Sequence, residues 1–225
     1  MIRRSIFALI SLVLFVSISP LIEAEKILSL TSPEGLELRQ VEALATEFGG
    51  RKALKLMQAP NAEGEATVAL LTDSAFEDGT IELDLAGKPA EGAFGGARGF
   101  VGVVFRAASE ASRFECFYLR PTNGRAEDQL RRNHSSQYIS YPDYPWHRLR
   151  QETPGKYEAY VDLVPGEWTK VKIVVSGAQA KLYVHGASQP TLIVNDLKLG
   201  TSRGKVGLWV GPGTESYFSD LRITE

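Results

Sequence analysis

The sequence predicts an all-β protein, two antiparallel sheets packed as a jelly-roll sandwich, and three observations carry that expectation. Runs of five to nine β-branched, aromatic and alternating residues recur along the chain, separated by Gly, Pro, Asn or Asp. No stretch of 12 residues shows an apolar stripe of helical period. The 225 residues, 44% hydrophobic and with one Cys, hold enough apolar side chain for one large core without disulfides.

The first 24 residues are expected to stand outside that core. Arg3 and Arg4 precede a 13-residue, largely apolar run from Ile6 to Ile18, and Pro20 and Ala24 follow before Glu25 and Lys26, the layout of a secretory signal peptide cut after Ala24. The run falls short of the roughly 20 residues of a membrane span, so no stable membrane anchor is expected. No Cys follows it to accept a bacterial lipid anchor. Removing Arg3, Arg4 and Glu23 from 25 basic and 27 acidic residues leaves 23 and 26, a net charge of −3 over residues 25–225. Such a chain has no global basic field for nucleic acid. Cys116, within the apolar stretch from Phe114 to Leu119, reads as a small buried hydrophobe rather than a nucleophile.

In chain order the expected strands are Lys26 to Leu30, Val41 to Glu47, Lys52 to Met57, Thr67 to Leu71, Gly79 to Leu85, Phe100 to Arg106 and Arg113 to Arg120. Tyr157 to Asp162, Glu167 to Ser176, Ala180 to His185, Thr191 to Asn195, Lys205 to Val210 and Tyr217 to Ile223 complete the series. Gly49-Gly50 and Gly177-Ala178 mark two hairpins, because glycine supplies the positive φ of tight turns. Ile81-Glu82-Leu83-Asp84-Leu85 alternates strictly, which puts its apolar residues on a core face and its two acids on a wetted one.

Three pieces carry a family resemblance: Ser74 to Leu85, Gly166 to Gly177 with Lys181-Leu-Tyr-Val184, and Gly204 to Gly211 with Tyr217 to Ile223. Together they resemble the concanavalin A-like lectin/glucanase superfamily over about residues 40 to 225, with the nearest look to bacterial secreted modules of the laminin-G-like and 3-keto-disaccharide hydrolase type. The resemblance implies the sandwich and an exported location; it hosts lectins, glycosidases and adhesive modules alike. Trp168 and Trp209 then read as framework rings between the sheets.

Between Tyr118 and Arg150 the alternation stops, and these residues hold four of the eight Tyr, two of the three His and six Arg. Against Glu127, Asp128 and Asp143 that is a local net of +3. A long segment so rich in rings and guanidinium forks suits a polyhydroxylated or anionic ligand. Tyr138, Tyr141, Tyr144 and Trp146 offer faces for sugars, Arg120, Arg131, Arg132, Arg148 and Arg150 offer forks for oxygens, and Asn123, His134 and Gln137 can fix orientation. The same composition also suits loop architecture, with Tyr-Pro pairs as staples and arginines paired to Glu127, Asp128, Glu152 and Glu158.

Glycoside hydrolysis generally needs two facing carboxylates. Glu82 and Asp84 share a strand face with Cα atoms about 6.6 Å apart. They resemble the first half of a family 16 glucanase strand, but Ala86 and Gly87 stand where its second Glu falls. Glu115 is a further candidate acid. There is no G-x-S-x-G elbow, and His134 and His147 lack a zinc context. Gly92 to Gly99 precedes a strand and reads as a flexible turn. Asp78 and Asp220 are candidate Ca²⁺ ligands by resemblance, without a full ligand set and with no cofactor required. The expectation is a monomeric, exported carbohydrate-binding or adhesive module whose partner is a glycan; a glycan-active hydrolase is the alternative.

Overall fold

The computed structural model describes residues 25–225; the expected leader, residues 1–24, lies outside the described residues. In chain order the strands are β1 (Glu25–Leu28), β2 (Leu36–Arg39), β3 (Val41–Phe48), β4 (Arg51–Gln58) and β5 (Val68–Leu71). β6 (Gly79–Pro89), β7 (Val101–Ala107), β8 (Phe114–Leu119) and β9 (Ser136–Tyr141) follow. The series ends with β10 (Glu158–Ala159), β11 (Thr169–Ser176), β12 (Gln179–Val184), β13 (Leu192–Val194), β14 (Lys205–Val210) and β15 (Thr214–Thr224). Two short helices, α1 (Gln129–Asn133) and α2 (Trp146–Glu152), sit between β8 and β10.

These strands form two antiparallel sheets, the expected sandwich. The first runs β13-β12-β11-β6-β15-β4-β3, with β1 paired to the end of β15; the second runs β10-β9-β8-β7-β14-β5-β2. Both glycine hairpins form. β3 and β4 pair from Val41↔Gln58 to Phe48↔Arg51, and the two residues between them, Gly49 and Gly50, both have positive φ, at 56° and 78°.

Ile81, Leu83 and Leu85 of β6 are buried and join Val171, Ile173, Val175 and Phe218 in the main core, while Glu82 and Asp84 point to the other face. The first sheet keeps this alternation through β11 and β12. The second does not: every residue of β7 and β8 is buried, and so is β9 up to Ser140. Its outer face is covered by other segments. Trp209 donates its indole N–H to Glu65 O at 2.8 Å, Phe100 meets the Tyr118 ring edge-on, and α2 contributes buried Leu149. A strand buried on both faces reads as an unbroken apolar run, which explains Val101-Gly-Val-Val-Phe105 and Phe114-Glu-Cys-Phe-Tyr-Leu119. Cys116 lies inside this run, fully buried, and burial pushes its thiol well above the usual range.

Several details differ from the sequence reading, among them strand β9 (Ser136–Tyr141), which was not expected. The strand expected over Tyr157 to Asp162 is only Glu158–Ala159, and Leu36–Arg39 forms a strand not foreseen. Trp209 lies on the outer face of the second sheet against Tyr118 and Glu65 rather than between the sheets, and Trp168 does not fill that space either. It packs with Phe48 and Tyr217 in a small separate cluster, on the face of β15 opposite core residue Phe218, with the Arg51 guanidinium 4.3 Å above its ring.

Arg106 closes one end of the sandwich. Its backbone adopts φ +51° beside the irregularity in β7–β14 pairing, and its side chain is wholly buried. Nε donates to Glu77 O at 2.9 Å, Nη2 to Gly177 O at 2.7 Å and to Asp78 Oδ1 at 2.9 Å, and Nη1 to Gly200 O. Three connecting segments are thus tied to one guanidinium. Replacing it with methionine strands three carbonyls and a carboxylate; Arg106→Met is expected to lose about 3 kcal/mol of stability in urea unfolding.

Candidate functional site

Between Arg120 and Glu158 the chain adds β9 to the second sheet and lays α2 against it, and a buried carboxylate holds this segment in place. Glu158 is on the edge strand β10, its side chain 3% exposed. Arg120, just past β8, places Nη1 3.3 Å from Glu158 Oε1, and Arg150 of α2 donates from Nε to Oε2 at 3.0 Å and from Nη2 to Oε1. Arg120 also donates to His134 O at 3.0 Å, to the Tyr118 hydroxyl at 2.7 Å and to Gln137 Oε1 at 3.1 Å. The buried Arg120 guanidinium is thus held by four acceptors at once.

A second network extends this one. Asn123 Nδ2 donates to His134 O at 3.1 Å, and Arg131 Nε donates to Asn123 Oδ1 at 2.9 Å. Arg131 Nη2 reaches Thr122 O and Oγ1 at 3.3 and 3.2 Å. Trp146, the first residue of α2, is 37% exposed, and its ring lies 4.7 Å from the Arg150 guanidinium and 5.9 Å from that of Arg120.

These groups line a groove of about 510 Å³. Arg120, Asn123, Arg131, His134, Trp146 and Arg150, all expected from the sequence, meet there. The groove's other lining residues were not foreseen: Phe94, Gly96, Arg98 and Phe100 from one stretch, Asp128 and Leu130 at α1, and Pro212. Phe100, Trp146 and Pro212 also line an adjoining recess of about 100 Å³ with Tyr118, Ile139, Trp209, Gly64 and Glu65. Glu65 is partly buried; among the described residues no hydrogen-bond donor reaches its carboxyl group, and burial raises its pKa against the opposing pull of His147 and Arg120.

The stretch Gly92 to Gly99 is a docked wall rather than a free turn. Gly99 has φ +69°, and a Cβ there would lie 2.9 Å from Lys88 Cα, so only glycine lets the stretch lie against β6. An aromatic and an arginine inside a glycine-rich run were the signal that sequence reasoning passed over.

Other expected site residues lie elsewhere. Gln137 is fully buried beneath Arg120, its amide donating to Tyr138 O and Tyr157 O. Tyr138 is a core residue whose hydroxyl donates to Glu115 Oε2 at 2.6 Å and accepts from Lys198 N–H. Glu115 is itself fully buried and accepts the Leu199 N–H at 2.7 Å, so both are sealed from any ligand. Tyr141 stacks on Phe114, Tyr144 lies under Arg148, and Arg132 covers Tyr160. Arg148 pairs with Glu152, the architectural use that the sequence left open.

The remaining acids are on the other sheet or in its connections. Glu82, Asp84 and Asp220 share a surface hollow with Lys170 and Arg222, and Arg51 binds Asp84 at 2.6 Å. Asp78 is occupied by Arg106 and the Gly177 N–H. Among the described residues no three His, Cys, Asp or Glu side chains gather as a metal site.

The fold is a concanavalin A-like jelly roll. It is similar to a carbohydrate-binding module, CBM66, from Bacillus subtilis at a TM-score of 0.53 and 13% identity, covering 83% of this chain and 96% of that one. A Bacillus subtilis protein of unknown function with a galectin-like fold gives 0.56 and 12%, covering 90% and 98%. Peanut lectin gives 0.52 and 11%, covering 90% and 97%. No family model and no curated protein matches the sequence.

Two outcomes follow from this geometry. Glu158→Gln removes the charge that two guanidiniums share and is expected to cost about 3 kcal/mol in urea unfolding, with Trp146 fluorescence shifting as α2 loosens. His134 is held below the usual histidine pKa, first by burial and then by Arg150 and Arg120, partly offset by Glu158. Its folded form therefore resists protonation while the unfolded chain accepts a proton below about pH 6.5, so stability falls as pH drops through that value. His134→Gln should flatten that part of the pH–stability profile.

Proposed function

We propose that the protein is an exported, monomeric glycan-binding module that takes its ligand in the groove between the 94–100 stretch and α2. The observation that carries this reading is Trp146: a large ring left partly exposed on the groove, buttressed by two guanidiniums that are themselves anchored on buried Glu158. Phe94 is 56% exposed on the same groove, so the groove offers both apolar faces and fixed hydrogen-bond donors, as sugar rings require. Export is supported by the leader-like residues 1–24 and by a lone, buried thiol that needs no disulfide partner. Among the described residues no helix is long and apolar enough to cross a membrane.

One observation favours glycan cleavage as a second reading. Glu65 is a carboxyl group with a raised pKa beside Trp146, and Asp128 is a second carboxylate on the adjoining groove. The glucanase-like pair Glu82 and Asp84 does not share this groove.

On a glycan array, Trp146→Ala is expected to weaken any bound oligosaccharide at least about tenfold, near 1.4 kcal/mol, with the melting temperature preserved. Arg132→Ala, outside the groove, should leave binding unchanged. Retention of full affinity by Trp146→Ala would remove the groove from consideration. Product release from the bound glycan, abolished by Glu65→Gln, would replace binding with cleavage.

A further inference from the structure

We propose that the groove selects an acidic glycan, one bearing a carboxylate or sulfate, and that Arg98 and Arg131 are the residues that read the anion. The inference rests on the glycan-binding reading above and adds the charge of the ligand. Four guanidiniums line the groove, and they fall into two kinds. Arg120 and Arg150 share the single Glu158 carboxylate, which offsets one of their two charges. Arg98 and Arg131 have no carboxylate partner among the described residues.

Their hydrogen bonds hold them without discharging them. Arg98 Nη1 donates to Gly95 O at 2.7 Å and Ala97 O at 3.0 Å, both carbonyls of its own stretch, which leaves Nε and Nη2 without an acceptor. Arg131 uses Nε and Nη2 on Asn123 and Thr122, which leaves Nη1. Asp128, the acid on this groove, directs Oδ1 to the Arg131 backbone N–H at 3.1 Å rather than to a guanidinium. The two cations are close enough to disfavour one another: Arg98 is held below its ordinary pKa by burial and then by Arg131 and Arg120.

Like charges crowded in a partly buried groove are costly unless an anion joins them. Planar forks with unfilled donors match the planar oxygens of a carboxylate or the faces of a sulfate. Phe94, beside Arg98 on the same wall, and Trp146 across from it leave apolar surface for the sugar ring that carries the anion.

The test is titration calorimetry of the purified protein with two matched pairs of probes: oligogalacturonate against its methyl ester, and a sulfated galactan oligosaccharide against its desulfated form. Wild type is expected to bind at least one acidic probe tenfold or more tighter than its neutral partner, with affinity falling as salt rises. Arg98→Gln and Arg131→Gln should each erase most of that preference at unchanged melting temperature, and Arg98→Lys should recover only part of it. The pair that discriminates tells carboxylate from sulfate. Equal binding of acidic and neutral partners, still abolished by Trp146→Ala, would overturn the charge inference and leave the glycan reading standing. Binding of none of the four probes would overturn the inference together with its basis.

Discussion

The buried Glu158 carboxylate, clasped by Arg120 and Arg150, is the constraint on which the site depends. A carboxylate this far from water is tolerated only when its charge and lone pairs are met, and here the two cations come from opposite ends of the 120–150 segment. Closing that triad pins α2 over the second sheet. Pinning α2 fixes Trp146, whose ring the same two guanidiniums flank, and Arg120 carries the constraint onward through His134 O to Asn123 and Arg131. The ion pairs contribute position more than net stability, because desolvation offsets much of their attraction.

This arrangement also explains why the two sheets look so different. The first sheet keeps its main core on one face, and its outer face carries the small Tyr217 cluster together with Glu82, Asp84, Lys170 and Lys172 in water or in surface pairs. The second sheet is covered on its outer face at Glu65, by Phe100 and by α2, so polar residues within it must find internal partners. Gln137 on that face does so with Arg120 and two carbonyls, and on the inner face Glu115 does so with Tyr138 and Leu199. The groove lies where this covering is incomplete.

Much of the first sheet was legible in the sequence because one-sided burial writes itself as alternation, as in Ile81 to Leu85, and because Gly49-Gly50 and Gly177 are turns that few other residues can make. The segment from 118 to 150 was legible by composition, and six of the residues expected there do meet at the groove. Strand β9 inside it was not, since Ser136-Gln-Tyr-Ile-Ser-Tyr141 is buried on both faces and its polar members are satisfied by partners distant in sequence. That is also why Tyr138 and Gln137 were mistaken for ligand contacts. Gly92 to Gly99 was misread because glycine signals either mobility or close approach, and only the neighbouring backbone of β6 decides between them. Glu65 had no local signal at all; its surroundings come from Tyr118, Trp146 and Trp209.

Charge is partitioned by the same architecture. A chain with more acids than bases still leaves Arg98 and Arg131 without a carboxylate partner in this groove, while other acids are engaged: Glu158 by Arg120 and Arg150, Asp78 by Arg106, Asp84 by Arg51 across the sandwich. At physiological salt, fields from exposed charges fade over about 8 Å, so the acids on the far sheet do little to cancel Arg98 and Arg131. The partly buried groove screens less than open surface does. A near-neutral protein can in this way present a strongly cationic site, and the net charge of the whole chain says little about the sign of its ligand.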